Sequence, residues 1–400
     1  MIELANKSLE QCMPLGAHIY FNLAVFCFWF AIYIYSPLFS VYLEAIHFSY
    51  SSIGIILGGY GVTQIVFRLP LGILTNKLYH LRKHLLVSAF VTALISCLLL
   101  IYFESFIAVL TARLLAGVTA SMWVMATVLY SYYFSPEKSS RAMGTMQFNM
   151  VTTQLICMTT SGMLVHMYGW NLPFWLGVIA AIFGVFFALK IKVVDVKPVV
   201  KSSYSFSDYL QRTNNISGLK IVTFLSMIAH AVLFITVFGF SPIMAVSIGV
   251  EEQQFVWLMG AFFVSHALTS LGLIIFQLNP KYNKLVLIFS FILSALFLFL
   301  IPTAGSLFAI CLYHAGLGLS LGYIFPLLLS EVVSITPEDL KMSAMGYYQS
   351  FYSIGILLGP IVAGSVAENA GLTNLFIYAG VMTLLTAGLL IIYNRKKVIK

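Results

Sequence analysis

Apolar runs of roughly 20 residues follow one another along this chain from about residue 18 to about residue 393, separated by short polar breaks. A helix rises about 1.5 Å per residue, so each run is long enough to cross the ~30 Å hydrocarbon layer of a bilayer. No water-soluble core hides so much apolar surface, and the 8% of charged residues falls far below the quarter or so usual in soluble domains. Stretches of alternating polarity, which a membrane barrel requires, are absent. The expected fold is therefore all-α and integral to a membrane.

The breaks predict helices over 18–43, 52–74, 84–103, 105–131, 141–165 and 172–190, then over 219–247, 254–278, 284–301, 306–333, 341–366 and 373–393. The first run is too long for the apolar core of a secretory leader and is expected to stay as the first transmembrane helix. The longest gap mixes Lys, Ser, Asp and Asn and divides the runs six and six. This predicts an N-terminal six-helix bundle over 1–190, a linker over 191–218 and a C-terminal bundle over 219–400.

The net charge of +8 does not indicate a nucleic-acid partner, because the basic residues sit between apolar runs and never gather with aromatic residues on one amphipathic face. Membrane topology explains them instead. If both termini lie in the cytoplasm, all but two of the 21 Lys and Arg residues fall on the cytoplasmic side, as the positive-inside rule requires. The two others, Arg68 and Arg113, lie within helices. An odd helix count would scramble this pattern, so the tally supports an even count. The five cysteines are isolated, which predicts neither a disulfide frame nor a zinc site.

Internal repetition relates the halves. Ala142-Met143-Gly144 and Gln147 recur as Ala344-Met345-Gly346 and Gln349, and the same offset of 202 residues carries Gly162 to Gly364, Gly169 to Gly371 and Phe174 to Phe376. Six helices per repeat is an even number, so the repeats run parallel, related by an axis along the membrane normal.

On these residues the chain resembles the major facilitator superfamily over essentially its whole length. The family's loop after the second helix reads G-x-L-x-D-R-x-G-R-R, and here Gly72, Leu74 and the basic pair Arg82-Lys83 fit it. Asn76 replaces the Asp and Lys77 the Arg. The resemblance implies that this loop is a cytoplasmic gate, and an amide at 76 cannot form the gate's ion pair, so a weaker or differently built lock is expected. Arg113-Leu114-Leu115-Ala116-Gly117 is similar to the family's R-x-x-x-G pattern, whose Arg is associated with proton or substrate coupling. The antiporter pattern G-x-x-x-G-P is missing from the fifth helix. It stands in the eleventh as Gly355 to Pro360, where glycines four apart read as helix packing.

The resemblance also implies a substrate cavity between the halves near mid-membrane. Polar side chains far from helix ends are then the candidates: Asn22, Gln64, Arg113, Asn149 and Gln154 in the first half, His230, His266, His314 and Gln349 in the second. Tyr33, Trp123 and Tyr352 would add aromatic walls. No carboxylate falls at mid-depth, which favours a neutral or anionic cargo over a cationic one. The histidines, with an unperturbed pKa of about 6.5, are left as the groups able to couple protons.

The expected function is secondary transport by alternating access of a small neutral or anionic organic solute. Proton-coupled efflux of a metabolite, metallophore or drug is favoured over uptake of a sugar or organic acid. No phosphate-binding loop occurs, and neither a cofactor nor enzymatic chemistry is expected. A sensor or enzyme on the same scaffold would need an appended domain or a cluster of acid, base or metal ligands. The expected setting is a bacterial inner (plasma) membrane, with the bilayer, the solute and protons as partners and a monomer as the assembly.

Overall fold

The computed structural model describes residues 13–74, 79–134, 139–194, 205–276, 280–337 and 340–398, and among them no strand occurs. The first six long helices are α1 (Leu15–Ala45), α2 (Tyr50–Leu74), α3 (Arg82–Tyr102), α4 (Phe106–Tyr130), α5 (Ser139–Tyr168) and α6 (Asn171–Lys190). The next six are α7 (Leu219–Ser247), α8 (Phe255–Phe276), α9 (Asn283–Leu300), α10 (Leu307–Ile335), α11 (Lys341–Ala370) and α12 (Leu372–Val398). Each matches an expected run to within a few residues. Eleven are long and apolar enough to cross a membrane among the described residues. The twelfth, α5, has 30 residues, ample length, but Thr152, Thr153, Gln154, Thr159 and Thr160 dilute its hydropathy. Successive helices run antiparallel, so the loops carrying Arg82, Lys190, Lys220, Lys281 and Lys341 share one end of the molecule, here termed the basic face.

α1 and α7 break at matching places. In α1 the helix stops at Tyr33 and a 3₁₀ turn, Ser36–Leu38, carries Pro37. In α7 a wide π turn, Thr236–Phe240, precedes Pro242. A proline ring removes one helical donor and collides with the carbonyl four residues back, so the backbone rewinds. At each break a hydroxyl bonds back to the preceding turn: Ser36 donates to Ile32 O and Thr236 to Val232 O, both at 2.7 Å.

The repeat seen in sequence has a geometric counterpart. Gly169 and Gly371 end α5 and α11 with φ of +82° and +87°, a conformation that costs glycine little and other residues more. About two turns earlier, Gly162 lies so close to the Glu252 carbonyl, and Gly364 to the Tyr50 carbonyl, that a methyl group at either would collide with backbone. Tyr50 and Glu252 are themselves separated by the repeat offset. On the end opposite the basic face, the two bundles therefore meet through a matched pair of backbone contacts, α5 with α8 and α11 with α2.

Toward the basic face the symmetry ends. α2 and α11 stay together along their whole length: Gly58 and Gly61 face Leu357, Ser350 donates to Ile65 O at 2.6 Å, and a methyl group at Gly72 would lie 3.0 Å from Gly346 Cα. α8, by contrast, has no fully buried residue from 264 to 273, and Phe148 of α5 is 73% exposed.

A short helix, Phe206–Asn214, lies in the linker and begins with a capping box between Ser205 and Asp208. It docks on α11, where the Thr213 and Ser343 hydroxyls are 2.6 Å apart and Tyr347 donates to Asn214 Oδ1 at 3.3 Å.

Candidate functional site

Tyr60, Gln64 and Arg68 recur every four residues along α2, so they share one helix face. That face lies beside the glycine seam, and its Arg68 end reaches across to α11. Arg68 is 5% exposed, and its Nη1 donates to the Tyr352 hydroxyl of α11 at 2.6 Å. Arg113 of α4, 4% exposed, lies between two rings, 5.2 Å from the Phe39 centroid and 4.9 Å from that of Tyr60. The Nε of each arginine is buried without a hydrogen-bond partner, and no described carboxylate pairs with either guanidinium. The described carboxylates nearest the helices, Glu44, Glu104, Glu251, Glu252, Glu331 and Glu368, all lie at or near helix ends. Facing rings stabilise a buried cation by about 2 kcal/mol at most sites, which leaves much of the cost of desolvating a charge unmet.

Aromatic rings close the space around these cations. His230 of α7 stacks on Tyr352 with centroids 3.8 Å apart and planes 4° from parallel, and its other neighbour is Phe325 of α10 at 4.6 Å. Its Nδ1 sits 2.8 Å from Ser226 O, which directs the Nδ1 proton to the backbone. His266 of α8 lies 5.9 Å from both Phe325 and Phe262. From Phe262 ring contacts continue through Phe263, Phe238 and Phe234 back to Tyr60. Tyr33 stacks between Phe238 and Trp29, and Trp29 meets Trp123 at 5.1 Å. Gln349, three residues before Tyr352, shares its α11 face, and its Oε1 is buried without a partner. Gln154 of α5 is half-buried.

Ring contacts thus connect Tyr33, Trp123, His230 and His266 with Tyr60, Arg113 lies over the same Tyr60 ring, and Gln64 and Gln349 stand on the helix faces of Tyr60 and Tyr352. Three candidates, Asn22, Asn149 and His314, are committed elsewhere. Asn22 is committed to a network nearer the basic face, donating to His18 O and the Tyr130 hydroxyl while Asn149 donates to Asn22 O. It is eleven residues, about 16 Å of helix, from Tyr33. His314 is packed in the α8–α10 interface with Nδ1 on Ile310 O, 1% exposed, and stands eleven residues, again about 16 Å, from Phe325. Among the gate residues, Asn76 and Lys77 lie outside the described residues. Gly72 belongs to the α2–α11 seam. Lys83 caps the end of α6 through Leu189 O and Ile191 O, and Arg82 lies over the Tyr132 ring. Gly355 and Gly359 pack against Met227 and Ala231 of α7, the packing role expected for them.

The residue that sequence reasoning passed over is Arg68. Its signal was present: a lone charge inside a 25-residue span, four and eight residues beyond Gln64 and Tyr60. Tyr60 and Phe325 were indistinguishable by sequence from other aromatic core residues.

Twelve membrane-length helices in two matched bundles, with polar and aromatic side chains converging between them, define an integral membrane transporter. The family model of the Major Facilitator Superfamily matches residues 21–214 and 221–400, and the chain belongs to that family. Similar curated proteins include an uncharacterised MFS-type transporter of Methanocaldococcus jannaschii, 20% identical over 87% of this chain and 90% of the relative, and one of Bacillus subtilis, 22% identical over 66% and 68%. Among solved structures, the nucleoside transporter NupG is similar with a TM-score of 0.71 and 17% identity, covering 95% of this chain and 98% of that one. The human organic anion transporter MFSD10 is similar with a TM-score of 0.67 and 16% identity, covering 94% and 100%. At these identities the likeness is one of fold.

Proposed function

We propose that this transporter carries a small neutral or anionic organic solute by alternating access, with cargo bound between the halves at the space bounded by Arg68, Arg113, Tyr60 and the ring of aromatic side chains. One observation carries the reading: two buried arginines lie beside these rings with no carboxylate among the described residues to balance them. A cationic cargo would meet like charge in a low dielectric, where repulsion is poorly screened. An anion, or the acceptor groups of a neutral solute, would meet unsatisfied donors.

Taking the basic face as cytoplasmic, the matched contacts of Gly162 and Gly364 close the outer side, so cargo loads from the cytoplasm. Importers and exporters both pass through such a conformation; export across a plasma membrane is the direction we favour, and accumulation assays in whole cells test it. Proton coupling falls to His230 and His266, the histidines that reach the central space. Counterflow in proteoliposomes with a panel of anionic, neutral and cationic solutes tests the charge reading. Exchange of anions or neutral solutes is expected, and selective exchange of cations would end it. Replacing His266 should abolish flux driven by a proton gradient while leaving counterflow in place, and replacing His230 should weaken both.

A further inference from the structure

Tyr352 makes two contacts that an incoming solute would compete for. Its ring lies flat on His230, and its oxygen accepts from Arg68. The two partners belong to opposite halves, His230 to α7 and Arg68 to α2. We propose that Tyr352 is a built-in stand-in for the cargo: its phenol holds, in the empty transporter, the place of a planar aromatic carboxylate. Such a cargo displaces it by stacking on His230 and bringing its acid group to Arg68. The inference rests on the transport reading above and narrows its substrate class.

Three observations support it. A phenol is neutral and offers one oxygen, so the Arg68 charge stays uncompensated and its Nε stays buried without a partner. A carboxylate supplies both the charge and a second oxygen, and charge-assisted bonds of this kind are roughly twice as strong as neutral ones. The parallel stack at 3.8 Å shows that the His230 face accepts a flat ring, whereas a saturated ring is too thick for it. Gln349, on the same face of α11, has an Oε1 that is buried and unsatisfied, which a hydroxyl or amino substituent on the cargo ring would fill.

Displacement has a mechanical consequence. The Arg68–Tyr352 bond ties α2 to α11 at the centre of their seam, so the cargo that breaks it loosens the two halves where they are otherwise most tightly joined.

The test uses the full-length transporter, with binding followed by fluorescence of Trp29 and Trp123. The probes are 4-hydroxybenzoate, its neutral amide and its saturated-ring analogue. The acid should bind about tenfold more tightly than either, the advantage expected of a charge-assisted pair. Arg68→Gln should erase the preference for acid over amide. Tyr352→Phe, which keeps the ring and removes the competing oxygen, should bind the acid more tightly than the unaltered protein, and Tyr352→Leu should do so further. A purely structural Tyr352 predicts the reverse order. Equal binding of acid and amide, or weaker acid binding in Tyr352→Phe, overturns the proposal. Counterflow separates it from the broader reading: exchange of uridine without any response to the benzoate sinks the cargo assignment and leaves transport intact. Acid binding with the predicted variant pattern, but no exchange of any probe, supports the stand-in and sinks transport.

Discussion

The seam between α2 and α11 and the seam between α8 and α5 are related by the repeat, and they begin alike. Each opens with a glycine against a backbone carbonyl, Gly364 on Tyr50 and Gly162 on Glu252. They then part. The first continues through Gly61, Gly58 and the Ser350 bond to the contact of Gly72 with Gly346, with the linker helix docked beside it. The second leaves residues 264–273 of α8 without a fully buried side chain. Two copies of one scaffold have thus become a long hinge line and a short latch. Alternating access in this chain is expected to be lopsided, with the α5–α8 side opening more widely toward the basic face.

The contrast is open to attack at both seams. Gly364→Leu should have the largest effect, since it drives a side chain into backbone where nothing flexible can yield. Overpacking of this kind costs up to about 3 kcal/mol, and loss of thermal stability in detergent together with loss of flux would show it. Gly162→Leu attacks the short latch, where the strain can be relieved by opening. The protein should fold, melt less than Gly364→Leu does, and show greater labelling of the site from the face opposite the basic one. If both variants fold equally well, the distinction between hinge and latch is lost.

Cross-linking sharpens the comparison at the other end. In a cysteine-free background, the pair Gly72→Cys and Gly346→Cys should form a disulfide readily in the cargo-free protein. The pair Phe148→Cys and Leu271→Cys, at the corresponding end of α5 and α8, should not.

The linker helix should give the smallest effects. Thr213→Ala removes its bond to Ser343 and should cost about 1 kcal/mol, read as faster proteolysis within the linker. Ser205 donates through its hydroxyl and amide to Asp208 and holds that carboxyl below the usual carboxylate range. Because the folded-state value is lowered, this stabilisation is present above the ordinary carboxylate pKa and is lost as pH falls through the lowered one. Asp208→Asn should reproduce the acid effect at neutral pH, again read by proteolysis.

Much of the architecture was legible because the membrane enforces it. Run length, basic loops and the Gly162, Gly169, Gly364 and Gly371 register follow from local chemistry, and the structure places helices and left-handed glycines accordingly. α5 shows the limit of hydropathy: its polar residues make it a poor membrane segment by composition, and its packing between α1 and α8 is what explains them. The site was legible as a set of residue types and not as a set of partners. Asn22 and His314 had the right chemistry at plausible depth, yet local bonds to His18, Tyr130 and Ile310 hold them away from the centre.

By itself the sequence determined that this chain spans a membrane in twelve helices, repeats after six, and carries its positive charge on one side, because each of these is set by a residue and its near neighbours. Only the tertiary structure decided that Arg68 answers to Tyr352, 284 residues away, and that one repeat-related seam is zipped while the other is not. Those facts depend on how helix faces rotate and approach across the two halves, and a rotation of one residue, 100° of helix, would have assigned different partners to the same side chains.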